Sequence, residues 1–238
     1  MLSWLFPSTC ELCGEEGEYT ICSECLRSLP RIPAPICLHC GAPTAGQQTD
    51  PERCKNCAGQ PRSFTIARQA LRQTDEVMKL IYQFKYHRAV HLARPLALLL
   101  NELWERTPRL REEKGWVLVP VPVTSAKLYT RGYNQAGELA RQLARMRRLR
   151  VMDLLERCET GVISQTRLTA TARRLNAMRA YRGKKPVFRM FPPVYPSRIV
   201  LVDDVFTTGA TVRACAAQLR KLPGVKEVVA LSVVRIGV

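Results

Sequence analysis

Four Cys-x-x-Cys pairs crowd into residues 10–57 of this 238-residue chain: Cys10/Cys13, Cys22/Cys25, Cys37/Cys40 and Cys54/Cys57. Two sulfurs three residues apart on a tight knuckle grip one side of a tetrahedral ion, and two knuckles complete its shell. Glycine follows the first pair, in CELCG, and the third, in CLHCG, but not the second or the fourth. The segment thus reads as a twofold repeat, which favours two zinc ribbons in sequence. One would use Cys10, Cys13, Cys22 and Cys25, the other Cys37, Cys40, Cys54 and Cys57. A cross-braced pairing of knuckles one with three and two with four satisfies the same spacing, and so does an iron–sulfur cluster. Disulfides fit less well, because the opening MLSWLFPSTC lacks the basic region of an export signal and the cytosol keeps thiols reduced. His39 lies inside a knuckle but is not needed, since four cysteines already saturate a zinc. So short a stretch has few large apolar residues and must draw its folding energy from metal. Four thiolates leave no open coordination position, so the zinc is structural.

Composition changes after residue 60. Residues 1–60 carry four Lys/Arg against seven Asp/Glu, whereas residues 61–238 carry thirty-three against thirteen. This shift marks a boundary between a zinc-binding module, 1–60, and a second domain, 61–238. The densest basic stretch, 141–189, has fourteen basic residues and three acidic ones, which favours polyanionic partners or simply a solvated arginine-rich face. No apolar run approaches the ~18–20 residues of a membrane span, and a soluble cytoplasmic protein is the expectation.

From residue 61 onward, apolar β-branched runs alternate with helical patterns. SFTIARQAL, WVLVPVPV (116–123), RIVLVDDV and VKEVVALSVVRI read as strands. DEVMKLIYQFKY, AVHLARPLALLLNELWER, NQAGELARQLARM and a segment from about Ala210 to Leu222 read as helices. Such alternation implies an α/β fold, a mostly parallel sheet flanked by helices on both faces, with ligands outside the carboxyl ends of the strands. Cys215 shares a helical stripe with Val212, Ala216 and Leu219, and Cys158 has no matched partner; both read as inert.

VLVDDVFTTGAT places two acids after an apolar run and small, hydroxyl-rich residues at the mouth of a helix. Thr207, Thr208, Gly209, Ala210 and Thr211 offer backbone N–H groups, hydroxyls and the positive end of a helix dipole, a pocket for one phosphate. Asp203 and Asp204 would repel that phosphate, but they suit the hydroxyls of a sugar that carries it and a metal-bound water shell. The segment reads as a ribose-5-phosphate cradle.

VLVDDVFTTGAT also resembles the phosphoribosyl pyrophosphate (PRPP) signature of the type I phosphoribosyltransferases. Over essentially its full length the chain resembles the ComF family, in which a double zinc ribbon precedes a phosphoribosyltransferase domain. VPVP…RGYNQAGELA (119–140), QTRLTATARRLNAMRAY (165–181) and FKYHR carry the rest of the likeness. The resemblance implies the type I phosphoribosyltransferase fold, ribose hydroxyls held by Asp203 and Asp204, and the 5′-phosphate held by Thr207 to Thr211. It further implies a pyrophosphate and Mg²⁺ site at Lys127, Arg131, Asn134 and Gln135, with Lys85 nearby. Residues 161–183, with Gln165, Arg173, Arg174 and Asn176, would form a mobile loop over the substrate.

Arginine's planar fork suits phosphate oxygens, and Arg131, Arg173, Arg174 and Lys85 are the residue-level candidates for drawing off a pyrophosphate. A plainer reading makes Asn134 the cap of a helix whose Leu139 and Leu143 face the core. The histidines, His39, His87 and His91, fall outside these motifs, so no dedicated general base is evident. Two functions follow. One is Mg²⁺-dependent transfer at the ribose C1 carbon to a nucleobase-like acceptor, covered by the zinc module and residues 61–75. The other is a PRPP-sensing or single-stranded-DNA-binding protein without turnover. The family resemblance implies a part in competence and uptake of transforming DNA, with DNA or DNA-uptake proteins as partners.

Overall fold

A computed structural model of the chain describes residues 8–17, 19–47, 49–112, 114–158, 180–184 and 194–237. Its centre is a five-stranded sheet in which every pairing is parallel. Strands β1 (Ser8–Thr9) and β2 (Glu16–Gly17) form a short ribbon before helix α1 (Ser23–Ser28). Then come β3 (Ile66–Arg72), α2 (Asp75–Tyr86), α3 (Ala93–Glu105), α4 (Pro108–Glu112), β4 (Trp116–Pro120), α5 (Ser125–Arg131) and α6 (Gln135–Arg147). The chain continues through β5 (Arg150–Val151), β6 (Leu155–Arg157), β7 (Tyr181–Gly183), β8 (Arg198–Phe206), α7 (Ala210–Leu219) and β9 (Glu227–Arg235). The sheet order is β3-β9-β8-β4-β5.

Alternation along β8 divides the interior into two layers. Val200 and Val202 join one apolar cluster with Leu80, Ile81 and Phe84 of α2, Leu96 and Leu100 of α3, and Leu139 and Leu143 of α6. Ile199 and Leu201 join a second with Val212, Cys215, Ala216 and Leu219 of α7. Successive side chains of a strand point to opposite faces, so a strand covered on both sides must be apolar throughout. β9 is buried from Glu227 to Arg235 and is apolar except at those two ends and at Ser232.

The cysteine-rich segment covers the edge of this sheet. Ile21 and Leu29 join the first cluster, while Cys37, Cys40, Cys54 and Cys57 join the second. Between them, residues 30–41 run beside β3: Ala67 N donates to His39 O at 2.7 Å, Arg72 N to Pro30 O at 3.0 Å, and Arg31 bridges Leu71. The two ribbons therefore straddle the outer strand and satisfy an edge that would otherwise recruit another chain.

Three elements differ from their sequence reading. Residues 89–106 open with a 3₁₀ turn, Val90–Leu92, before α3, because Pro95 lacks an amide proton and is tolerated only in a first helical turn. β4 stops at Pro120, short of Val123, since proline cannot donate to a ladder. α7 ends at Leu219, where Lys221 N and Leu222 N turn back to Gln218 O and Leu219 O ahead of Pro223.

Candidate functional site

The eight cysteines gather as Cys10, Cys13, Cys22 and Cys25, and as Cys37, Cys40, Cys54 and Cys57, with the sulfurs of each group within 4.8 Å of one another. This is the sequential pairing; the cross-braced one is not adopted. Sγ of Cys13 and Cys22 are 3.9 Å apart, and those of Cys40 and Cys54 are 3.7 Å apart. A Zn–S bond of about 2.3 Å gives a tetrahedral sulfur–sulfur edge of about 3.8 Å, whereas a disulfide brings sulfurs to about 2.05 Å. Both groups thus fit a single tetrahedral ion. The first is partly exposed and the second wholly buried. His39 stays out of the metal shell: its Nδ1 lies 3.0 Å from Thr65 O and its ring stacks on Phe64 at 4.4 Å. Burial acts to raise the Cys40 thiol, but the Ala42 backbone and the Arg235 charge outweigh it and the net shift is downward.

At the carboxyl ends of β4 and β8 lies a cleft of about 240 Å³. Lys85 enters it from the last turn of α2, Val121 to Val123 from the end of β4, and Lys127 and Arg131 from α5. Asn134, Gln135 and Ala136 come from the start of α6, Asp203 to Val205 from β8, Thr211 from α7, and Arg157 and Tyr181 from the β6–β7 pair.

Local rules set these side chains. Thr124 caps α5, its hydroxyl accepting from Lys127 N at 3.2 Å. Gly132 ends α5 at φ 81°, a left-handed turn that lets α6 begin three residues later, at Gln135. Asn134 stands at the N-cap of α6, yet its side chain does not cap: Nδ2 donates to Val121 O at 3.0 Å, and Oδ1 is buried without a partner among the described residues. Leu139 and Leu143 do face the core. Arg131 donates to Gln135 Oε1 at 3.0 Å and lies over the Tyr86 ring at 5.0 Å, which fixes its guanidinium at the cleft wall.

The acid pair is split. β8 continues past both aspartates, with Asp203 opposite Ser232 and Phe206 opposite Arg235. Asp204 Oδ2 pairs with Lys85 Nζ at 3.1 Å, on the α2 side of the sheet. Asp203 Oδ1 accepts from Asp204 N at 2.9 Å, and burial, then the neighbouring Asp204 charge, pushes its carboxyl well above the usual range. Lys127 is held below the ordinary lysine range, first by burial and then by the charges of Arg157 and Arg131. Tyr181 is pushed up to about 12, chiefly by burial, while its hydroxyl accepts from Arg157 Nη1 at 3.0 Å. Four cations against two acids leave the cleft with a positive excess suited to a multiply charged anion.

Of the residues singled out from sequence, Lys85, Lys127, Arg131, Asn134, Gln135, Asp203, Asp204 and Thr211 meet at this cleft. Thr207, Thr208, Gly209 and Ala210 sit just beyond its lining, on the turn into α7. Gly209 stands at the N-cap with φ 77° and no side chain to cap α7, while Thr208 Oγ1 accepts from Ala210 N at 3.4 Å. Gln165, Arg173, Arg174 and Asn176 lie outside the described residues. The far end of the 161–183 segment is strand rather than loop, since Tyr181–Gly183 pairs with Leu155–Arg157. The described lining draws on neither the zinc module nor residues 61–75, of which Ile66–Arg72 is strand β3. Arg157 and Tyr181 were missed; the signal available was an arginine and a tyrosine in short apolar–polar alternations flanking 161–179. No helix among the described residues is long and apolar enough to cross a membrane.

Residues 1–58 match the double zinc ribbon domain family, which together with the sulfur geometry assigns structural zinc to both groups. DNA utilization protein YhgH of Escherichia coli (strain K12) is 31% identical over 221 residues, covering 90% of this chain and 91% of the relative. Competence protein F of Haemophilus influenzae is 31% identical over 215 residues, 87% of each chain. Competence protein ComFC of Streptococcus pneumoniae is 24% identical over 218 residues, covering 90% of this chain and 87% of the relative. With similarity to these proteins over 87–90% of its length, a double zinc ribbon and a parallel α/β sheet, the chain belongs to the ComF family.

Proposed function

We propose that the cleft binds PRPP with Mg²⁺, that the protein is a phosphoribosyltransferase, and that it acts in the competence and DNA utilisation for which its relatives are named. The observation that carries this reading is the meeting of Asp203 and Asp204 with Lys85, Lys127, Arg131 and Arg157 in one cleft beside the start of α7. The acids accept the ribose hydroxyls, and the amides of Gly209 to Thr211 face the 5′-phosphate. The four cations face the pyrophosphate. Lys85 neutralises Asp204; pyrophosphate draws the ammonium away and leaves that carboxylate for the sugar.

The oxygen donors at hand, two carboxylates and the unpartnered Asn134 Oδ1, suit a hard cation that keeps several waters. Magnesium would spread the charge of the departing pyrophosphate. The chain's own residues orient the sugar so that the bond from C1 to the pyrophosphate oxygen breaks as the bond from C1 to an acceptor nitrogen forms. Positioning and electrostatic stabilisation supply the catalysis. Pyrophosphate release from PRPP in the presence of a panel of nucleobases tests this: turnover with any base supports transfer, and silence across the panel with PRPP still bound leaves a sensing role.

One observation favours a second reading, a grip on single-stranded DNA. Tyr82 and Tyr86 are more than half exposed, their rings 4.9 Å apart, next to Arg131. Exposed aromatics beside cations are the platform on which bases stack.

A further inference from the structure

Two arginines outside the cleft tie the turn at its rim to the second zinc ribbon. Arg213, on α7, donates through Nη1 to Thr208 O at 2.5 Å and through Nη2 to Asn56 O at 2.9 Å, inside the Cys54–Cys57 knuckle. Its guanidinium also lies 5.8 Å from the ring of Phe64, the ring that stacks on His39 of the Cys37–Cys40 knuckle. Arg235, at the end of β9, donates to Cys40 O at 2.9 Å and Gln69 Oε1 at 3.1 Å, with Nη2 3.8 Å from Cys40 Sγ. The same guanidinium covers the face of Phe206 at 4.9 Å. Phe206 in turn fixes the turn that follows it: a Cβ on Gly209 would come within 2.6 Å of the Phe206 ring and 3.1 Å of Arg213 Nη1.

Charge explains why these contacts depend on the metal. Arg235 is 1% exposed, and its partners among the described residues include no carboxylate. A buried guanidinium is costly without a counter-charge. Four thiolates around one divalent cation carry a net charge of about −2, and that charge sits beside Arg235. Loss of the metal unties the knuckles that hold Asn56 O against Arg213 and Cys40 O against Arg235, so both struts loosen together. Among the described residues the first ribbon has no such link; its contacts go to α2, α3 and the turn between them, through Glu11 to Gln83 and His91 and through Arg31 to Glu102.

We infer that Arg213 and Arg235 are positioning residues through which zinc in the second ribbon holds the Thr207–Gly209 turn in shape. The value of that turn as a phosphate cradle rests on the proposed function; its dependence on the second zinc does not. The test is hydrogen–deuterium exchange on the full chain, read at peptides spanning 206–213, in Cys57→Ser, Cys13→Ser and Arg213→Lys, with zinc content measured for each. The expected result is exchange at the turn faster by about tenfold or more in Cys57→Ser and Arg213→Lys, and within about twofold of the parent in Cys13→Ser. Arg213→Lys should still carry both zinc ions, which separates loss of the strut from loss of the ribbon. Equal loosening in the two cysteine variants, or an unchanged turn in a fully metallated Arg213→Lys, overturns the inference. If Cys57→Ser fails to fold, Arg213→Lys decides alone. A parent protein that does not bind PRPP would remove the cradle reading and leave the exchange result standing.

Discussion

Lys85 on α2 and Asp204 on β8 form an ion pair at 3.1 Å across the floor of the cleft, while Asp203, one residue earlier, turns the other way and forms no ion pair among the described residues. Adjacent carboxylates would repel if they shared a face. Strand alternation separates them, so one is neutralised and the other is stored as a raised-pKa acid.

Asp203→Asn should therefore stabilise the unliganded protein. With its native pKa above the unfolded value, Asp203 binds more proton folded than unfolded, so stability falls as pH rises through that window. The variant should melt about 2–4 °C higher at neutral pH, and this gain should vanish in acid. Thermal unfolding as a function of pH checks both the gain and its sign.

Lys85→Met should act in the opposite direction. It leaves Asp204 largely buried without its partner, at a cost of about 1–3 kcal/mol, and removes one cation facing the pyrophosphate. Denaturant unfolding should show the loss, and pyrophosphate binding should weaken by about tenfold.

Lys127 gives a proton signature. Burial and the Arg157 and Arg131 charges hold its pKa down, and a bound polyanion raises it again. Pyrophosphate binding in alkaline buffer should take up protons, seen as a dependence of calorimetric heat on the ionisation enthalpy of the buffer. Proton release would contradict this account of the cleft.

Two zinc ions per chain are expected from elemental analysis, and one would contradict the two-site geometry. Cys54→Ser, in the buried group, should lower both zinc content and soluble yield. Cys10→Ser should lower zinc by one equivalent with a smaller loss of yield, because its group lies nearer solvent.

Much of this was legible in the sequence because it is local. Cys-x-x-Cys spacing announces a metal knuckle, and VLVDDVFTTGAT joins a buried strand to a helix start. What stayed hidden depends on distance along the chain. Arg235 stands in an apolar strand whose sequence gives no sign of a counter-charge, and its partner Cys40 is 195 residues away. Arg157 and Tyr181, 24 residues apart, meet only because two three-residue strands pair across the intervening segment. Asn134 was read in part correctly, since it stands where a helix cap belongs, but Val121 O takes its amide instead. The split of Asp203 from Asp204 follows from strand alternation once β8 is known to run to Phe206.

Titration calorimetry of PRPP into the full chain, with and without Mg²⁺, tests the central claim most directly. The account predicts saturable, Mg²⁺-dependent binding that weakens at least about 100-fold in the Asp203→Asn/Asp204→Asn double variant, with the fold retained by circular dichroism. No heat with the parent protein, or equal affinity in the double variant, would contradict it.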